Sequence, residues 1–169
     1  MGFGPEAGSP EPGATDVTVA DVASELRMIA ASFSRELLET GRNGADRRPA
    51  AGTWSPKEVL GHLIDSAANN HQRFVRAQQA DALTFPGYQQ NEWVSSQGYQ
   101  DADWPHLVAL WTHLNLHLAD VITRIPPSKY SIPCTIGGDA AVPLEAVVVG
   151  YRNHLHHHIA QIRERLDAQ

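Results

Sequence analysis

Sulfur chemistry is nearly absent from this chain: Cys134 is the single cysteine among 169 residues. A lone cysteine excludes an internal disulfide framework and suits a reducing cytoplasm, the expected location. Basic residues are scarce as well. Thirteen Lys and Arg against nineteen Asp and Glu leave a formal charge of −6, so no nucleic-acid partner is expected, because phosphate binding needs a basic surface. No apolar run approaches the roughly 18 residues of a membrane-spanning helix, and no membrane partner is expected either. Residues 1–16 have neither the basic start nor the apolar stretch of a signal peptide. They are rich in Gly, Pro and Ala, bury little, and read as a disordered N-terminal tail. The remainder, 17–169, is the length of one domain. Hydrophobic residues make up 42% of the chain, enough for a core.

What is present is helical periodicity. Val22, Leu26, Ile29, Phe33 and Leu37 recur at spacings of three and four and predict a first helix from Val19 to Thr40. Thr18 and Asp21 form a capping-box pattern before it, and Gly41 stops it. Ser55-Pro56-Lys57-Glu58 offers an N-cap Ser, a Pro at the first helical position and a Glu at the third. A second helix is expected from there to about Ala80. Residues 81–102 carry Pro, Gly and Asn without clean periodicity. They read as a long connection packed on the body by Phe85, Tyr88 and Trp93. Trp104, Leu107, Trp111, Leu114, Leu118, Val121 and Ile125 mark a third helix from Asp103 to Ile125, ended by Pro126-Pro127. A loop over 128–142 leads to a fourth helix from Pro143 to Asp167, with at most a short strand pairing near Ile132 or Ile136. The expectation is an all-α domain, a four-helix bundle with long interhelical connections. Trp104 and Trp111 lie one heptad apart. Four helices cannot bury every face, so a homodimer is expected.

Histidine is the residue in excess: nine in all, four of them within 154–158. Residues i and i+4 of a helix lie about 40° apart and about 6 Å along the axis. His154 and His158 therefore point the same way, with Gln161 near their line, His157 at its edge and His156 nearly opposite. That spacing lets two imidazoles grip one ion from a single helix. His113 and His117 share it, and spacing alone does not choose between the pairs. The second helix carries a polar stripe of His62, Asp65, Ser66, Asn69 and Arg73 between apolar faces, which implies that the stripe is buried. Each unpaired buried polar group costs roughly 1–3 kcal/mol. A metal ion or a polar substrate would satisfy several at once.

The segment Trp54-Ser55-Pro56-Lys57-Glu58-Val59-Leu60-Gly61-His62-Leu63-Ile64-Asp65-Ser66, followed by Asn69-Asn70 and Arg73-Phe74, resembles the second-helix signature of the DinB/YfiT-like family. Phe85-Pro86-Gly87-Tyr88 with Trp93 is similar to that family's next loop, and Asn115-x-His117-Leu118 to its third helix. His154-Leu155-x-His157-His158-Ile159-x-Gln161-Ile162 resembles its closing motif. The resemblance implies a bundle that holds one divalent metal through His62, His154 and His158. It demotes His113 and His117, and makes Asn69, His157 and Gln161 the neighbours expected to support the ligands. The family commonly has an acid where this chain has Gly150. That leaves no acidic partner to orient a ligand imidazole there and opens space below His154.

Three histidine ligands leave coordination positions open, as catalytic sites do. The implied cofactor is a divalent ion, Zn or Ni first, with Fe, Mn or Cu also compatible with imidazole ligands. The expected function is a metal-dependent enzyme acting on a small molecule. It would be a thiol S-transferase using a low-molecular-weight thiol, or a hydrolase. Asp65 and Glu58 are the nearest candidates for a base. The competing class is a non-catalytic metal-binding or stress-related protein.

Overall fold

The structure is a computed structural model that describes residues 17–168. The expected disordered tail lies outside the described residues. Four long helices form the body: α1 (Val19–Thr40), α2 (Pro56–Ala77), α4 (Trp104–Thr123) and α5 (Leu144–Asp167). Both N-terminal capping boxes expected from sequence are formed. Thr18 and Asp21 close the start of α1, and Ser55 and Glu58 close the start of α2. These reciprocal bonds satisfy backbone N–H groups that the first helical turn leaves without partners.

The bundle has a definite cyclic order. α1 packs on α4 and α5, and α2 packs on the same two helices, so α1 and α2 lie diagonally across the core although they are consecutive in sequence. Val22, Leu26, Phe33 and Leu37 of α1 are buried against Trp111, Leu118 and Ile122 of α4 and Leu155, Ile159 and Ile162 of α5. Phe33 and Trp111 meet edge to face with centroids 5.5 Å apart, the arrangement that ring quadrupoles favour. Ion pairs join α5 to α1 on the outside: Glu25 accepts from Arg152 and His156, and Glu36 accepts from Arg163. Trp104 and Trp111, whose spacing suggested an apolar face for a partner, are instead 6% and 0% exposed. Both belong to the core, which removes that basis for a homodimer. Among the described residues no helix is long and apolar enough to cross a membrane.

The connections are more structured than their periodicity predicts. Residues 81–102 contain strand β1 (Leu83–Phe85), helix α3 (Gln90–Gln97) and a 3-10 turn at Tyr99–Asp101. The loop before α5 contains β2 (Pro133–Ile136) and β3 (Val142–Pro143). β1 pairs with β2 in parallel, Leu83 opposite Cys134, and β2 pairs with β3 antiparallel. These elements escape a periodicity reading for physical reasons. The strands are two to four residues long, and α3 buries only Val94, so neither leaves a repeating apolar pattern. The small sheet ties the α2–α3 connection to the segment that feeds α5.

Glu58 stands at the junction of three segments. Its Oε2 accepts from Ser55 N at 2.8 Å and Arg48 Nε at 2.9 Å, and its Oε1 accepts from Arg48 Nη2 at 2.6 Å. Ser55 Oγ donates to Gln100 Oε1 at 2.6 Å. Glu58 is thus a capping and ion-pairing residue whose oxygens are all engaged, which corrects its assignment as a catalytic base. The Arg48 guanidinium, with the Ser55 bonds, holds the Glu58 carboxyl below its ordinary value. A carboxyl with a depressed folded pKa contributes stability above its unfolded pKa and loses it as pH falls through the folded value. Glu58→Ala is therefore expected to destabilise the fold by about 1–2 kcal/mol at pH 7. The gap from the unsubstituted protein should close as pH falls below about 4. Urea unfolding at both pH values measures it.

Candidate metal centre

His62 lies on the buried face of α2, fully shielded from solvent. His154 and His158 lie one turn apart on α5 and face it across the α2–α5 interface. The rings converge. Centroids are 5.0 Å apart for His62 and His154, 4.7 Å for His62 and His158, and 4.4 Å for His154 and His158. One nitrogen from each ring lies within 4.8 Å of the others. His62 Nε2 and His154 Nε2 approach to 3.0 Å. Two nitrogens bonded to one ion at about 2.0–2.1 Å in tetrahedral or octahedral geometry stand about 2.8–3.4 Å apart, so the His62–His154 spacing fits a shared ion. No other group of three or more His, Cys, Asp or Glu with this convergence occurs among the described residues. His113 and His117 of α4 take no part. His117 instead stacks near His71 at 5.2 Å.

The supporting groups orient the rings. Gln161 Oε1 lies 3.0 Å from His158 Nδ1, and its Nε2 lies 2.8 Å from His157 Nε2, so Gln161 bridges the two histidines. With the amide oxygen as acceptor, His158 carries its proton on Nδ1 and keeps the Nε2 lone pair free. Ser66 Oγ lies 3.4 Å from His154 Nδ1 and occupies the orienting role for which no acidic residue is present. His62 Nδ1 is buried without a hydrogen-bond partner, and the Trp54 ring packs 5.1 Å from its ring. Burial, reinforced by mutual repulsion, pushes His62 down to about 3 and His154 down to about 4. His158 is lowered by burial as well. The rings are therefore held neutral, the protonation state a metal requires of its ligands. Neutral, convergent, anchored on the buried His62 and with His62 Nδ1 left without a partner, the donor set fits a divalent ion.

Two residues assigned to the site from sequence have other roles. Asp65 Oδ1 accepts from Tyr99 Oη at 2.7 Å and Gln97 Nε2 at 2.6 Å. Asp65 makes no hydrogen bond to a histidine and does not line the adjoining cavity. It is a buried link from α2 to the α3 segment rather than a base in the cavity, and burial raises its carboxyl above the ordinary value. Asn69 returns its amide to the backbone of its own helix, donating to the Asp65 carbonyl at 2.9 Å. His156, expected to point away, pairs with Glu25 at 2.7 Å.

A cavity of about 390 Å³ opens beside His154. Ser66, Asn70, Arg73, Tyr88, Gly150 and Tyr151 are among its walls. Tyr88 stays protonated, pushed up to about 12 by burial and by the nearby Asp65 carboxylate. The sequence placed Arg73 and Ser66 in one polar stripe but did not single out Tyr99 or Gln97, the partners of Asp65. Those contacts join segments far apart in the chain. One signal was present: Gly61, mid-helix on α2. A Cβ there would collide with the Tyr99 ring, so the glycine is what lets Tyr99 reach Asp65.

The fold and site define a helical bundle in which the facing helices α2 and α5 bring three imidazoles together. The chain matches the family model of the DinB superfamily over residues 30–162, and it belongs to that superfamily. Its fold is similar to that of YfiT from Bacillus subtilis, described as a probable metal-dependent hydrolase with an unusual four-helix bundle topology. The TM-score is 0.79 at 21% identity, covering 93% of this chain and 90% of that one. No curated protein matches the sequence significantly.

Gly150 lies inside α5 one turn before His154, and a Cβ there would meet no atom within 4 Å. Glycine in a helix interior costs roughly 0.5–1 kcal/mol relative to alanine. Gly150→Ala is expected to raise stability by about that amount in thermal or urea unfolding. Gly61→Ala, by contrast, should destabilise by about 1–3 kcal/mol because the Tyr99 ring must leave its place.

Proposed function

We propose that this protein is a metal-dependent enzyme that acts on a small molecule in the cavity beside His154. The observation that carries the reading is the convergence of three neutral imidazoles, His62 buried and His154 and His158 half-buried, with His154 in the wall of a cavity of about 390 Å³, within the range of small-molecule sites. His62, His154 and His158 would hold one divalent ion, zinc and nickel being among those that imidazole donors suit. Such an ion, when bound, supplies Lewis acidity toward a water, a thiol or a substrate oxygen. The chain's own residues do the rest. Gln161 and Ser66 fix the ring orientations of His158 and His154. Trp54 and the core around His62 exclude water from behind the donor set. Tyr88 presents a protonated phenol to the cavity.

Hydrolysis is the reaction class we favour, supported by the likeness in fold to YfiT. Transfer of a low-molecular-weight thiol is the second reading. It requires a cosubstrate thiol, since Cys134 is buried in β2 and its own thiol is raised by burial. The alternative class, a metal-binding protein without turnover, has the same donor set and differs only in activity.

The decisive comparison is between His158→Ala and His156→Ala, purified without nickel affinity. Elemental analysis of the unsubstituted protein should give one divalent ion per chain. His158→Ala should weaken metal binding by more than about 100-fold, beyond the loss typical of an outer partner, with circular dichroism unchanged. His156→Ala should keep the metal, because that ring is turned to Glu25. Loss of metal in His156→Ala with retention in His158→Ala would overturn the donor assignment. Hydrolysis and thiol-transfer assays on the loaded protein then separate the reaction classes. A loaded protein inactive in both supports the non-catalytic alternative.

A further inference from the structure

The cavity beside His154 contains a cation that the fold leaves without a counter-charge. Arg73 projects from α2 among the lining residues. Its Nε is buried with no hydrogen-bond partner. Its Nη1 donates to Asn70 Oδ1 at 3.3 Å, and the guanidinium lies over the Phe85 ring at 5.3 Å. No carboxylate among the described residues lies within salt-bridge distance of it, whereas Arg27, Arg48, Arg152 and Arg163 each have one. Asp139, the acid in the cavity wall, is exposed and forms no pair with it. Desolvating a guanidinium without a carboxylate is costly, and the cost is recovered when an oxyanion accepts from its paired N–H groups.

The same wall connects this cation to the histidine cluster. Asn70 accepts from Arg73, and its Nδ2 donates to the Ser66 carbonyl at 2.9 Å. Ser66 Oγ in turn reaches His154 Nδ1. Arg73, Asn70, Ser66 and His154 are thus successive groups along one side of a single cavity, with the phenol of Tyr88 also in its lining. Opposite them, Gly150 contributes no side chain, so the space in front of the wall stays open.

We propose that Arg73, with Asn70 and Tyr88 beside it, is an anion subsite that binds the carboxylate or phosphate group of the small-molecule substrate. A ligand anchored there places its remainder along the wall toward His154. The two oxyanions share the paired oxygens that a guanidinium fork recognises. This inference rests on the proposed enzymatic reading for the word substrate, but the binding step depends only on residues of the chain.

The test follows the Arg73 side-chain Nε–H resonance in a proton–nitrogen correlation spectrum while succinate, or separately inorganic phosphate, is added. It is run on chelator-treated protein and on zinc-loaded protein. Either anion should shift this resonance in a saturable manner in both forms, and the stronger of the two identifies the group. Arg73→Gln should weaken binding of that anion at least about tenfold, Arg73→Lys should restore part of it, and zinc content should be unchanged in both. Absence of any shift with both anions overturns the proposal without recourse to a variant. So does equal binding by Arg73→Gln and the unsubstituted protein, or binding that needs zinc and ignores Arg73. If the unsubstituted protein takes up no zinc while Arg73-dependent binding persists, the metal reading falls and the anion subsite stands.

Discussion

The structure depends on one constraint: α2 buries a polar stripe alongside its apolar residues. His62, Asp65, Ser66, Asn69 and Asn70 are all less than a tenth exposed. Buried polar groups must find partners or destabilise the fold. Every unusual feature around α2 answers that demand. Asn69 and Asn70 bond back to the helix, and Asp65 takes Tyr99 and Gln97. Ser66 and His62 look across to α5. Among the described residues, five buried side-chain nitrogens or oxygens have no hydrogen-bond partner, and three of them, His62 Nδ1, Asp65 Oδ2 and Arg73 Nε, lie on this one helix; the other two are Trp111 Nε1 and Arg165 Nη1.

The rest of the architecture is arranged around that helix. α2 packs against α4 and α5, so it faces α5 directly while α1 closes the opposite corner of the bundle. Segments outside the long helices reach it too. The 3-10 turn lays Tyr99 against Gly61, and the loop before α2 brings Arg48 to Glu58. The three-stranded sheet brings Phe85 under Arg73. The long connections are therefore the second layer of the polar interior.

Electrostatics divides the interior into two parts. The imidazoles are held neutral by burial, a donor set without charge. Arg73 is the guanidinium in the cavity wall, next to donors that are themselves neutral. On the proposed reading, the metal and an anionic group of the ligand occupy adjacent positions, one polarising one end of a small molecule while the other end is held.

Much of this was legible in the chain. The four long helices, both capping boxes and the apolar stripes follow from periodicity and local bonding, because a helix and its caps are made by residues within a few positions of one another. The i, i+4 spacing likewise made His154 and His158 a pair. Spacing alone left His113 and His117 as equals, and a resemblance, not geometry, added His62. Only the tertiary structure brought α2 against α5 and left the α4 pair outside. It engaged Glu58 in a cap and ion pair, and it turned Asp65 toward Tyr99 and away from the cavity. Beyond the short pairing expected near Ile132 or Ile136, which β2 occupies, the strands and α3 left no signal because their stability comes from packing and pairing at long range, which leaves no period to read. Sequence thus determined the helices and the chemical kinds of groups they carry. Which groups meet, and which are left unpartnered, was decided by how the helices pack, since a buried polar atom finds its partner in space and not along the chain.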